Sequence, residues 1–135
     1  MRILVVEDED ISRLTVKEIL REYGEMVFAK DGLEAISHFE KSLEVRWPFD
    51  LILMDIQLPM MDGQSALIHI RAIEEWHGLL GAARVKVLLL STVGRQELAE
   101  RAFFNECNGY LAKPIVRPQL LQAIKELGFL RDRAS

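Results

Sequence analysis

Short apolar runs alternate with longer amphipathic segments along this chain. Ile3–Val6, Met26–Ala29, Leu51–Met54, Val85–Leu90 and Tyr110–Ala112 are dominated by Val, Ile, Leu and other apolar residues. Runs of this length predict strands buried on both faces. The intervening segments carry helical spacing. Val16, Ile19, Leu20 and Tyr23 fall at i, i+3, i+4 and i+7, and Leu33, Ile36 and Phe39 keep one face of a second helix. Ala66, Ile70 and Ile73 do so in a third, the pairs Leu98/Ala102 and Ala99/Phe103 in a fourth, and Leu120, Ile124 and Leu127 in a fifth. Strands alternating with helices predict βαβ units and a parallel sheet covered on both faces.

The turn chemistry agrees with that pattern. Asp31-Gly32 and Asp62-Gly63 open the second and third helices, and Gly24 reads as the glycine that ends the first. Lys113-Pro114 closes the last strand, Pro118 suits a first helical turn, and Gly128 follows the fifth helix. The segment from Glu74 to Arg84, with Trp76, His77, Gly78 and Gly81, reads as a helix end and an extended loop. Its first reading is a tolerated surface insertion; the alternative is a partner contact through Trp76 and Leu79-Leu80. No internal repeat or linker interrupts the series, and Leu130 to Ser135 reads as a tail.

Composition narrows the class. The chain has 135 residues, one domain's length, with 50% hydrophobic, 28% charged and 7% aromatic residues, so the core is mainly aliphatic. A net charge of −4 argues against a nucleic-acid footprint and a polybasic membrane surface. Cys107 is the one cysteine, so no internal disulfide is expected, and it reads as a small buried apolar residue. No secretory signal or membrane-length apolar run is present in the sequence, and the expected location is the cytoplasm. His38, His69 and His77 have no partner at metal-ligand spacing. Trp47-Pro48-Phe49 reads as core edging, and Met54, Met60 and Met61 as packing residues.

Ligands of an open parallel sheet bind beyond the carboxyl ends of its strands. There the first strand delivers Glu7 and Asp8, the second Lys30-Asp31, the third Asp55, the fourth Ser91 and Thr92, and the fifth Lys113. Taken singly, Asp55 could form an Asx turn, Glu7 and Asp8 could favour a helix start, and Asp10 and Ser12 belong to helix entry. Ser91 could satisfy backbone, and Lys113 could be a solvated loop lysine. Together, three carboxylates at one edge repel one another, and a salt bridge to Lys113 alone leaves excess negative charge. A hard divalent cation such as Mg²⁺ resolves this, and Lys113 can pair with a phosphoryl oxygen.

These residues resemble the receiver domain of two-component response regulators, of the chemotaxis-regulator kind. The resemblance rests on Leu4-Val5-Val6-Glu7-Asp8, on Leu53 to Gly63 with its Asp–x3–Pro–x3–Gly spacing from Asp55, on Leu88-Leu89-Leu90-Ser91-Thr92, and on Gly109-Tyr110-Leu111-Ala112-Lys113-Pro114. It implies a flavodoxin-like (βα)5 fold, a doubly wound five-stranded parallel sheet in strand order 2-1-3-4-5. It also implies a receiver domain over residues 1–128 with a tail at 129–135. Asp55 would be the phosphoacceptor. Asp8 and Asp55 would bind Mg²⁺ directly, Glu7 through water and Gln57 through its main-chain carbonyl. Ser91 and Tyr110 would be the switch residues, and Lys113 the phosphoryl-pairing lysine.

The implied function is a phosphorelay switch rather than a conventional enzyme. A histidine kinase or histidine phosphotransfer protein would donate to Asp55. Ser91 would then move inward, Tyr110 would pass from exposed to buried, and the surface of helix four, strand five and helix five would signal to an unknown downstream protein. The expected state is a monomer or a weak homodimer through that surface. Thr92 and Glu106 depart from the small alanine-like residue and the glycine usual in this family. The first predicts slow hydrolysis of the acyl phosphate; the second leaves the turn before strand five open. Three rivals fit less well. A phosphohydrolase of the haloacid dehalogenase kind wants an acid where Gln57 stands. A flavodoxin-like cofactor carrier wants hydroxyls where Glu7, Asp8 and Glu9 stand. A pseudo-receiver would not need the intact acid set, Ser91 and Lys113.

Overall fold

The computed structural model describes residues 1–58 and 61–130. Five strands, β1 (Arg2–Val6), β2 (Glu25–Ala29), β3 (Leu51–Asp55), β4 (Lys86–Ser91) and β5 (Gly109–Ala112), alternate with α1 (Asp10–Leu20), α2 (Gly32–Glu44), α3 (Gly63–Trp76), α4 (Arg95–Ala99) and α5 (Arg117–Glu126). The strands form one parallel sheet in the order β2-β1-β3-β4-β5, the expected topology.

The alternation of side chains across each strand divides the interior in two. Leu4, Val6, Ile52, Met54, Val87 and Leu89 face one way and pack with Ala35 and Phe39 of α2, Ala66 and Ile70 of α3, and Leu98 of α4. Ile3, Val5, Leu51, Leu53, Leu88 and Leu90 face the other way, against Val16, Ile19 and Leu20 of α1 and Leu120 and Ile124 of α5. Every residue of β3 is buried. A run buried on both faces carries no polar alternation, which is why its sequence is continuously apolar up to Asp55. Phe129 and Leu130 also pack against the second cluster.

Local chemistry fixes the helix starts. The Asp31 carboxylate accepts from Glu34 N–H at 2.8 Å, and that of Asp62 from Ser65 N–H at 2.7 Å, satisfying donors that each helix leaves open. Pro118 lies in the first turn of α5. Gly128, beyond α5, takes the left-handed φ of +101°. Gly24 does not play that role for α1. The helix is closed at Arg21 in right-handed geometry, and Gly24 has no left-handed φ. It is small because a Cβ there would lie 2.2 Å from the Met1 carbonyl oxygen.

The fourth helix is shorter than its spacing predicts. After Ala99 the backbone turns extended at Arg101 and resumes as a 3₁₀ segment over Ala102–Glu106. The i,i+4 pairs Leu98/Ala102 and Ala99/Phe103 therefore do not share a continuous helix. Leu98 and Phe104 each reach the first core cluster, and no glycine or proline lies between them to account for the break. Glu106 keeps a φ open to any L-residue, so its turn needs no glycine. Cys107 is half-buried rather than buried, and its thiol donates to the Phe104 carbonyl at 3.0 Å. Phe49 is buried, whereas Trp47 is exposed and holds the Arg2 guanidinium against its ring at 4.3 Å. Met54 is buried, Met61 packs on the first cluster, and Met60 lies outside the described residues.

The last turns of α3 carry a buried ion pair. Arg71, one turn before Glu74, sets its Nη1 2.7 Å from Glu74 Oε1. Glu74 also accepts from Val85 N–H at 2.6 Å. Arg71 donates to the carbonyls of Val85 and Glu106 at 2.9 Å and to Asn108 Oδ1 at 3.1 Å. This network bolts α3 to the entries of β4 and β5. Removing one member of a buried pair leaves the other charge uncompensated, at a cost of roughly 3–5 kcal/mol. Glu74→Ala should destabilise the fold by about that amount, read as a lower urea midpoint with an unchanged slope.

Candidate functional site

Four strands end in register. Val6 pairs with Met54, Asp55 with Leu90, and Ser91 with Ala112. The ladder then continues one step through Ile56 N–H to Leu90 O at 3.2 Å and Lys113 N–H to Ser91 O at 2.9 Å. Glu7, Asp55, Ser91 and Lys113 thus emerge at neighbouring points of one sheet edge. Asp8 follows Glu7 into the loop that opens α1.

Lys113 is at the centre of the cluster. Its Nζ lies 2.8 Å from Glu7 Oε2 and 2.9 Å from Asp55 Oδ2, with Glu9 Oε1 farther out at 3.4 Å. The Lys113 side chain is 10% exposed, and Glu7 and Asp55 are buried, while Asp8 and Glu9 face solvent. The other oxygen of Asp55 accepts from Gln57 N–H at 2.9 Å, and Glu7 Oε1 accepts from Glu9 N–H at 3.2 Å. The Lys113-Pro114 bond is cis. Gly63 lies against the backbone of Asp55. A Cβ on it would lie 2.4 Å from the Asp55 carbonyl oxygen, so glycine alone lets the start of α3 close against the loop after β3.

Charge at this edge is unbalanced, with the carboxyl groups of Glu7, Asp8, Glu9 and Asp55 gathered around the single ammonium of Lys113. Burial pushes the Glu7 carboxyl up to about 7, and the nearby Asp55 charge adds to that against the opposing Lys113 ammonium. Burial also works against the charge on Lys113. The Glu7 and Asp55 carboxyl groups beside it outweigh that and hold it above the ordinary lysine range. One oxygen each from Glu7, Asp8 and Asp55 lie within 4.8 Å of one another. Glu7 Oε2 is buried with no hydrogen bond of good geometry, its counter-charge being Lys113. An all-oxygen, strongly anionic set with an under-satisfied buried carboxylate fits a hard divalent cation.

The remaining expected residues sit around this core. Ser91 is fully buried, and its Oγ accepts from Val93 N–H at 2.9 Å. Tyr110 is half-buried, and its hydroxyl donates to the Val93 carbonyl at 2.8 Å, so it does not stand out in solvent. One residue, Val93, therefore carries a bond from each. Gln57 and Thr92 are exposed, and the Thr92 hydroxyl donates to Gln57 Oε1 at 3.4 Å. The approach of Glu9 to Lys113 and the bridging place of Val93 were not foreseen. Glu9 stands beside the acid pair in the chain, a signal available in hindsight; Val93 carries no chemical mark.

A doubly wound parallel sheet with acids, a hydroxyl and a lysine at its carboxyl edge places this cluster where such α/β domains bind their ligands. Comparison with known proteins narrows it. The family model of the response regulator receiver domain matches residues 3–125. The chemotaxis protein CheY of Halobacterium salinarum is 27% identical over 127 residues, covering 93% of this chain and 95% of the relative. Hybrid signal transduction histidine kinase M of Dictyostelium discoideum is 32% identical over 132 residues, covering 97% of this chain but 5% of the kinase. Among solved structures, the co-crystal of the Saccharomyces cerevisiae phosphotransfer protein Ypd1 with the receiver domain of its downstream response regulator Ssk1 contains a match at a TM-score of 0.83 and 29% identity, covering 98% of this chain and 94% of that one. The receiver domain of a Pseudomonas aeruginosa sensor histidine kinase, solved with a magnesium ion in its active-site cleft, matches at 0.71 and 32%, covering 90% and 91%. The chain belongs to the response regulator receiver domain family.

The raised Glu7 carboxyl has a measurable sign. The folded chain keeps this proton to a higher pH than the unfolded chain, whose glutamate titrates near 4.5. Its contribution to stability is full below about pH 4.5 and is lost as pH rises through about 7. In chelator, urea stability should decline across that window, and Glu7→Gln should flatten the decline.

Proposed function

We propose that this chain is a phosphoacceptor switch of a two-component phosphorelay. It takes a phosphoryl group from a phosphohistidine onto Asp55 and signals through the face formed by α4, β5 and α5. The observation that carries this reading is the Lys113 ammonium 2.9 Å from a buried Asp55 carboxylate inside an acidic cluster. A histidine kinase or a histidine phosphotransfer protein is the donor, a choice supported by the Ypd1 complex of a similar chain. Ile11 and Leu14 of α1 and Val116 before α5 are exposed apolar residues near the site in sequence, suited to a protein donor. The output partner is a protein, without direct nucleic-acid or membrane contact, and the setting is the cytoplasm. Residues 1–128 are taken as the receiver unit and 129–135 as its tail.

Asp55 acts as the nucleophile. A carboxylate oxygen forms the new P–O bond while the P–N bond of the donor breaks and the electron pair returns to the imidazole. Gln57 N–H fixes the rotamer of Asp55 through its other oxygen. Lys113, freed in part from Asp55, pairs with the charge that the phosphoryl group brings. Mg²⁺ would be held by Glu7, Asp8, Asp55 and the main-chain carbonyl of Gln57, and its part is to neutralise phosphoryl charge. Magnesium in the cleft of the Pseudomonas relative supports that choice of ion.

Signalling follows from hydrogen-bond competition. The Ser91 oxygen accepts from Val93, which leaves its O–H free to donate to a phosphoryl oxygen. Turning inward costs it the Val93 bond, and Val93 is also the residue that holds the Tyr110 hydroxyl. A local charge thus biases two arrangements of the β4–α4 loop. Thr92, tethered to Gln57 at the mouth, restricts the approach of hydrolytic water.

Incubation with acetyl phosphate and Mg²⁺ should add one phosphoryl group by intact mass, with none on Asp55→Asn and none in chelator; modification of Asp55→Asn would refute the assignment. Thr92→Ala should shorten the acyl-phosphate lifetime severalfold, read by phosphate release after donor removal. An unchanged lifetime would remove Thr92 from this role.

A further inference from the structure

An apolar surface lies on α3, away from the edge that carries Asp55. α3 turns Ala66, Leu67, Ile70, Arg71 and Glu74 inward. Its outer side carries Ile68, Ala72 and Trp76 at four-residue steps, and Leu80 follows in the loop. Ile68 is 50% exposed, Leu80 67% and Trp76 88%. An indole left almost wholly in water forgoes the burial that makes tryptophan a dominant interface residue.

Beside this stripe opens a groove of about 350 Å³ whose lining includes Ile68, Ala72, Leu79 and Leu80, with Glu75 and Arg84 also contributing. Its volume is at the small end of ligand pockets, which run from roughly 300 to 1,000 Å³. It suits one aromatic wedge better than a whole helix. Trp76 does not line it, so within one molecule the wedge and the groove leave each other unfilled. The groove is also braced from within, since Arg71 and Arg84 are tied to Glu74 and Glu106.

We propose that this face is a self-association surface, in which Trp76 of each copy enters the groove of the other about a two-fold axis. A two-fold contact requires one patch to be complementary to itself. This patch has a protruding indole, a recess apolar along Ile68, Ala72, Leu79 and Leu80, and rim groups of both signs, the exposed Glu75 and the outer, 35% exposed part of the already paired Arg84. Two copies can therefore meet there although each chain carries a net charge of −4. A different partner would need its own wedge and a separate recess for Trp76. Each buried tryptophan contributes about 150–250 Å², so two indoles with Ile68 and Leu80 give a contact near the lower bound of specific interfaces, about 1,000 Å². The dimer is accordingly weak and concentration-dependent. It forms at the opposite end of β4 from Ser91 and does not depend on phosphorylation.

Sedimentation equilibrium from about 10 μM to about 1 mM should show the mean mass rising from 15.5 kDa toward twice that value. In a Trp47→Phe background, where Trp76 is the reporting indole, emission should shift to the blue over the same range. Trp76→Ser and Leu80→Lys, both at exposed positions, should remain monomeric throughout while keeping the wild-type circular dichroism and thermal transition. A wild-type chain that stays monomeric at 1 mM overturns the proposal, even if another protein proves to bind the patch. A dimer that survives both substitutions also overturns it, by placing the contact on another face.

Discussion

An ammonium held between two buried carboxylates organises the functional edge of this molecule. Lys113 sits within 3 Å of both Glu7 and Asp55, and each belongs to a different strand end. Like charges at this spacing raise the free energy of the fold unless a cation lies among them. The three strands are therefore bound electrostatically at the edge where their backbone ladders stop. Because one lysine cannot balance the acids gathered there, the site keeps an appetite for further positive charge. That deficit, more than any single residue, is what the proposed divalent ion would fill, and only with such an ion in place could an anionic group approach.

Much of this was legible in the chain, for reasons that can be named. The apolar run ending at Asp55 announces a central strand, since only a strand covered on both sides loses its polar alternation. The Asp31 and Asp62 helix starts and a parallel sheet of βαβ units were readable from spacing and turn chemistry, and the strand order from the family resemblance. The convergence of Glu7, Asp8, Asp55 and Lys113 follows once the strands are parallel and in register. Gly63 shows why the spacing after Asp55 ends in glycine: helix α3 closes on the Asp55 carbonyl with no room for a Cβ.

The misreadings have a common character. Gly24 was expected at a helix end from its position, but its neighbour is the Met1 carbonyl, a contact distant in sequence. The fourth helix breaks at Arg101 because Leu98 and Phe104 reach the core as separate anchors; the pairs at helical spacing between them do not outweigh that. Tyr110 is held by a backbone carbonyl on another strand's loop, a contact that carries no residue signature. Glu74 opens a segment that reads as a helix end and a surface loop, yet it is among the most buried charges in the fold. Its i,i+3 relation to Arg71 was visible, but burial was not.

The braced position of α3 divides the domain mechanically. At one end Gly63 seats the helix against the strand that carries Asp55; at the other, Arg71 and Glu74 bolt it to the entries of β4 and β5. It behaves as a strut with both feet fixed. The stretch from Val93 to Asn108, by contrast, joins two anchored strands through a five-residue helix and a 3₁₀ segment. A helix pinned at both ends holds the strand end that carries Asp55 at a set distance from the start of β4, so the two ends of the sheet share one rigid spacer.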